Sequence, residues 1–181
     1  MSAARHAAFL AATDAAQSTV EKGDALTDYI VDIVEQLDGV TCEQAKVFSD
    51  DHSQEVDAVF WNERNAGPNG LDFFASIFFV EAKNWAKPVG AAEVAWFKEK
   101  ILQGGHFQEG RAIGLLVAPH GVTGLEREAS FAAAIILRAR QEGVHILVVT
   151  PQQIAVGASE LRELLRSRLV DLAAGRVGFQ Q

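Results

Sequence analysis

Ile77-Phe78-Phe79-Val80-Glu81-Ala82-Lys83-Asn84-Trp85 is the stretch on which the reading of this fold turns. An unbroken apolar run of this kind, rich in aromatic and β-branched residues, predicts a strand at the centre of a sheet. It ends in two charges spaced two residues apart. Side chains alternate between the faces of a strand, so Glu81 and Lys83 point the same way. Upstream, Glu55-Val56-Asp57-Ala58-Val59-Phe60-Trp61 reads as a neighbouring strand with Asp57 in its interior. Charges inside apolar strands are costly to bury alone. Asp57, Glu81 and Lys83 are therefore expected to converge.

Outward from this pair, the chain divides cleanly. Residues 1–20 form an Ala-rich lead-in, and 21–181 read as one domain. Leu26, Tyr29, Ile30, Ile33, Val34 and Leu37 recur at helical spacing from Gly23, and Asp38-Gly39 stops the helix. Val40 to Phe48, Gln54 to Asn62 and Phe73 to Asn84 follow as three strands, joined as antiparallel hairpins. A helix over Ala91–Leu102, a strand over Ile113–Ala118, a helix over Leu125–Gln141 and a strand over Val144–Thr150 come next. Pro151–Ile154 starts a short helix, and Ser159 is expected to cap a last one through Ala173. Strands alternating with helices in the second half imply parallel crossovers. The expected product is an α/β domain, a mixed sheet flanked by helices on both faces.

The bulk composition is that of a globular domain: 49% apolar and 22% charged residues in 181. No apolar run approaches the ~20 residues that span a bilayer, and the N-terminal segment is a poor signal peptide. The cytosol is the default compartment. Cys42 is the only cysteine, which excludes an intrachain disulfide and a cysteine zinc cluster. The formal charge of −8 argues against a non-specific basic coat for nucleic acid. A site that gathers carboxylates around a divalent ion is compatible with it, because the ion supplies the positive charge.

Asp57 and Glu81 would offer two carboxylates from adjacent strands, and the carbonyl of Ala82 a third oxygen, a donor set suited to Mg²⁺ with Mn²⁺ as substitute. Lys83 would lie beside the attacking water or the scissile phosphate. Two carboxylates against one lysine leave negative charge unbalanced, which favours a cation site over a buried structural ion pair.

On these residues the chain resembles the PD-(D/E)xK nuclease superfamily, in particular its Mrr-type restriction-endonuclease branch. The resemblance rests on Glu55-Val56-Asp57 and on Val80-Glu81-Ala82-Lys83-Asn84-Trp85. It continues through Pro88-Val89-Gly90, Gly114-Leu115-Leu116-Val117-Ala118-Pro119 and Gly121-Val122-Thr123-Gly124, and spans about Gly23 to Ile154. It implies a restriction-endonuclease-like three-layer sandwich and Mg²⁺-dependent cleavage of DNA, of a restriction or defence type, with Asp57, Glu81 and Lys83 in the catalytic positions. Related nucleases often carry a first-helix Glu that reaches the metal. Here that place falls on Thr27; Asp28 lies nearly opposite the apolar face, and Glu21 would need another register.

Two other functions keep the same fold: a catalytically impaired module that binds DNA or protein, and a junction resolvase. No separate target-recognition domain is evident, so the expectation is either a homodimer or partner protein that supplies recognition, or cleavage with little sequence preference. Other polar features read as structural. Glu55 marks the solvent end of its strand. Trp61, Trp85 and Trp96 read as core or rim packing rather than base-stacking platforms. His6, His52, His106, His120 and His145 are too scattered for zinc, with His120 the one to test near the site. Gly121-Val122-Thr123-Gly124 lacks the Gly-Lys-Ser/Thr ending of a phosphate loop. Arg162, Arg166 and Arg168 read as a solvated helix face.

Overall fold

The computed structural model describes residues 2–48, 55–103, 112–123 and 131–177. In chain order the elements are α1 (Ser2–Ala15), α2 (Thr19–Val34), β1 (Val40–Phe48), β2 (Glu55–Asn62), β3 (Ile77–Ala82), α3 (Ala91–Gln103), β4 (Ala112–Val117), α4 (Ala132–Gln141), β5 (Val144–Val149), α5 (Pro151–Ile154) and α6 (Ala158–Ala173). The strands form one sheet in sequence order. β1, β2 and β3 pair antiparallel, whereas β3, β4 and β5 pair parallel. Residues 63–76 join β2 to β3, while α3 lies between β3 and β4 and α4 between β4 and β5, as parallel crossovers require. This mixed five-stranded sheet with its helices fits a three-layer α/β arrangement.

β3 is central, and five of its six residues are buried. It is shorter than the apolar run in the sequence. Phe73 and Phe74 stand outside it in the preceding turn, where their rings meet edge to face at 5.9 Å, and Phe74 packs edge-on to Phe78 at 5.2 Å. Their hydrophobicity serves core packing from an irregular segment. Asn62, 1% exposed, holds that segment in place. Its amide donates to the carbonyls of Leu71 and Ala75 at 2.9 and 3.1 Å, and its own oxygen accepts from the Arg64 N–H at 2.9 Å.

Every apolar residue marking the α2 face is buried, from Leu26 to Leu37. The helix begins earlier than its apolar pattern does. Ser18 accepts from the Glu21 N–H, and the Glu21 carboxylate accepts from the Ser18 N–H, a reciprocal capping box. Gly39, with φ +74°, takes the left-handed turn that ends the segment. The Ala-rich lead-in is helical: buried Phe9 of α1 stacks on Tyr29 of α2 with ring centroids 4.6 Å apart.

On the other half of the sheet, α3 buries Val94, Phe97 and Ile101 as its spacing predicts. It lies unusually close to β4. A Cβ at Gly114 would collide with Ile101 Cδ1 and come within 2.8 Å of the Phe97 ring. Two expectations for the last helix need correction. Its N-cap is Gly157, without a side-chain cap, and Ser159 lies inside the first turn. The arginines are also not a uniform solvated face. Arg162 donates to the Gly70 carbonyl at 2.8 Å, pairs with Asp72 and lies over the Phe73 ring, while Arg168 is buried. Only Arg166 of the three is exposed. The first residues of the helix expected from Leu125, the Gln54 start of the second expected strand, His52 and His106 lie outside the described residues. No helix among the described residues is long and apolar enough to cross a membrane.

Asn62→Ala would leave the Ala75 carbonyl and the Arg64 N–H without their Asn62 partner and take one of two donors from the Leu71 carbonyl, which keeps the Phe74 N–H. We expect a loss of about 2–3 kcal/mol, read in urea denaturation as a lower midpoint with an unchanged m-value.

Candidate functional site

The site forms where the antiparallel half of the sheet opens. Pairing of β2 with β3 runs from Trp61–Ile77 to Ala58–Val80 and stops there. One step further, Asp57 and Glu81 would face each other, both on the sheet face that carries Phe79 and Gly114. The strands part instead, and the Asp57 side chain fills the gap. Its Oδ2 accepts from the Ala82 N–H at 2.6 Å, replacing a ladder acceptor with a carboxylate. On the other side, the Lys83 N–H donates to the Val117 carbonyl at 2.9 Å, so β3 stays attached to β4. A residue's N–H and C=O point to the same side of a strand, so the Ala82 carbonyl also faces the opening toward β2.

Glu81 is 3% exposed, a position a carboxylate tolerates only with ionic partners. It has two. Lys83 Nζ lies 2.7 Å from Oε1. Lys100 Nζ, from the last turn of α3, lies 2.9 Å from both Oε1 and Oε2. The triplet foreseen from the sequence is thus brought together, and Lys100 joins it unforeseen. Lys100 follows Glu93 by seven residues and Trp96 by four, which puts all three on one edge of α3. Glu93 is close enough to act on Lys83 electrostatically. Trp96 is 59% exposed, so the expectation that it packs is not met. Trp61 is also exposed, and Trp85 has the Lys87 ammonium 5.9 Å from its ring centroid.

The electrostatics follow from this crowding. Burial, then the neighbouring Glu81 charge, push the Asp57 carboxyl up to about 6, against the pull of the Ala82 N–H, Lys83 and Lys100. Lys83 is opposed by burial, but Glu81, Asp57 and Glu93 outweigh it and raise its pKa. Lys83 is an ammonium at neutral pH.

Lys100 changes the charge count. Asp57 and Glu81 face two ammonium groups rather than one, so the imbalance argued from the sequence is filled from within the chain; only Glu93 restores a net negative charge. In donor type, Asp57, Glu81 and the Ala82 carbonyl fit a hard cation. Among the described residues, however, no group of three or more His, Cys, Asp or Glu side chains could hold a metal. Any ion there would rest on two carboxylates and backbone oxygen.

The accessory carboxylate is absent from α2. Thr27 is buried and its hydroxyl donates to the Gly23 carbonyl at 3.2 Å. Asp28 is exposed, and Glu21 is engaged in the capping box. The α2 N-terminus is nevertheless near the site: Asn84 donates to the Lys22 carbonyl at 3.2 Å. His120 is exposed in the turn after β4. The Glu55 side chain is outside those described. A cleft of about 800 Å³ lies elsewhere, between α1 and α2, with Glu21, Asp24, Asp28 and Asp32 along it. It contains none of the converging groups, and its carboxylates would repel an anionic substrate, so the opening beside β3 is the stronger candidate.

No protein-family model matches this chain, nor does any curated protein or solved structure.

Because the Asp57 pKa is raised, the folded protein holds a proton there that the unfolded chain releases. Stability from this group is present at low pH and is lost as pH rises from about 4 to about 6. Asp57→Asn keeps an acceptor for Ala82 and removes the titration. We expect its melting temperature to match wild type near pH 4 and exceed it at pH 7.5, by ~2–3 kcal/mol in free energy. Parallel melts across that range check this.

Proposed function

We propose that the chain is a metal-dependent DNA endonuclease of the restriction-endonuclease-like fold, with Asp57 and Glu81 as cation ligands and Lys83 as the charged group at the phosphate. The observation that carries this reading is the convergence of Asp57, Glu81 and Lys83 at a point where two strands part and the sheet gives up its own hydrogen bonds. A buried charged cluster at a strand end, with one carboxyl shifted toward neutrality, is a typical mark of a functional site.

Bound there, a divalent cation would supply activation of water and neutralisation of phosphate charge. The chain's own residues do the rest. Asp57 is oriented by the Ala82 N–H and held close to Glu81 by the strand register. Lys83, one residue past β3, is set by its backbone bond to the Val117 carbonyl and by its contact with Glu81. Its raised pKa suits it to donate to a non-bridging phosphate oxygen and to offset charge in the pentavalent state, rather than to abstract a proton. Trp96 offers an open aromatic surface within a helical turn of Lys100, a platform on which a base could stack. Lys22 and Lys87 are exposed on the segments that meet beside Asn84, where a phosphate backbone would pass.

A specific observation favours a second reading, a DNA- or protein-binding module that has lost catalysis. Glu81 is fully engaged by two lysines, and Thr27 provides no accessory carboxylate. A junction resolvase would share the same cluster and would prefer branched DNA.

The test is strand cleavage of plasmid and branched DNA with Mg²⁺ or Mn²⁺, with binding followed by gel shift. Wild type is expected to cut. Asp57→Ala and Lys83→Ala are expected to fall by about 10²-fold or more. Equal cutting by all three rejects the site assignment; DNA retained without cutting by wild type selects the second reading.

A further inference from the structure

We infer that Lys100 is a built-in counter-ion that a divalent cation must displace from Glu81, so that α3 sets the cation affinity of the site. The inference rests on the reading of Asp57 and Glu81 as ligands and adds a residue that acts through one of them. Lys100 Nζ straddles the Glu81 carboxylate, 2.9 Å from each oxygen, which is the position a chelated ion would need. Lys83 holds Oε1 from the side, at 2.7 Å. Neither oxygen can turn fully to a metal while both amines remain.

Lys100 is the one that can leave. Lys83 lies one residue past β3 and two from Glu81, with its backbone N–H bonded to the Val117 carbonyl, so it approaches Glu81 from the same segment of chain. Lys100 comes from another element, on a four-carbon stem with freely rotating bonds. Its side chain is 14% exposed and that of Lys83 25%, so solvent reaches both; what singles out Lys100 is that it covers both carboxylate oxygens, where Lys83 touches one. Divalent charge entering beside two ammonium groups would meet repulsion at contact distance; the departure of Lys100 removes one of the two charges and frees Oε2, while Lys83 keeps Oε1. The amine stays on the α3 edge beside Trp96, where an arriving phosphate would meet it. Lys100 is a positioning residue in this scheme.

The experiment is Mn²⁺ binding to the whole chain, without DNA, by electron paramagnetic resonance of free Mn²⁺ at fixed pH and ionic strength. Lys100→Met is expected to bind about tenfold more tightly than wild type, or better, since a close buried charge competitor is gone. Lys100→Arg, whose fork can bridge both oxygens, is expected to bind no better than wild type. Adding Glu81→Gln to Lys100→Met should abolish the gain. Circular dichroism checks folding, and Lys100→Gln takes the place of the Met variant if that one does not fold. Wild-type binding with no gain in the Lys100 variants overturns the inference and leaves the metal reading standing. No Mn²⁺ binding by either folded protein overturns both.

Discussion

Burial of the Glu81 carboxylate is the constraint around which the functional half of the molecule is arranged. A charge 3% exposed at the end of a central strand is tolerated only if cations come to it. One comes from Lys83, one residue past the end of the same strand. The other comes from the last turn of α3, so a helix that otherwise packs through Val94, Phe97 and Ile101 is also bound to the sheet by charge. The choice of three carboxylates and two amines in so small a space is expensive as architecture. Structural ion pairs of this kind are often replaceable by hydrocarbon without loss. The proposed chemistry would give the arrangement a reason.

Asp57 shows how the sheet makes room. A ladder continued past Ala58 and Val80 would close the space between β2 and β3. A carboxylate oxygen takes the Ala82 N–H instead, so the backbone donor stays satisfied while the strands separate. The same atom arrangement therefore ends the sheet and opens the site. It also explains why the Asp57 carboxyl is drawn in two directions, stabilised as an anion by a backbone donor and destabilised by burial and by Glu81.

Much of this was legible from residue order alone. Period-two alternation puts Glu81 and Lys83 together, antiparallel pairing puts Asp57 on the same face, and the spacing of strands and helices yields the mixed sheet. What escaped depends on distances between elements. Lys100 sits in a helix whose apolar stripe is obvious, but its reach to Glu81 depends on how deep that helix lies. Phe73 and Phe74 looked like strand because hydrophobicity does not distinguish a strand from a packed turn. Arg162 looked solvated because its partners, Gly70 and Asp72, are remote in sequence. A helix period does not say which edge of a helix stays open to solvent, so the exposure of Trp96 is not legible from spacing.

Gly114 carries a consequence that no charged residue would suggest. With no side chain there, α3 settles onto β4 until Phe97 and Ile101 occupy the space a methyl group would take. The height of the helix above the sheet determines whether an ammonium at position 100 can span to position 81. A single methyl on the hydrocarbon interior would act like a shim, stretching an ion pair it never touches. The Lys100–Glu81 contact can thus drift, or be tuned, through the greasy side of the helix while every charged residue of the cluster stays the same.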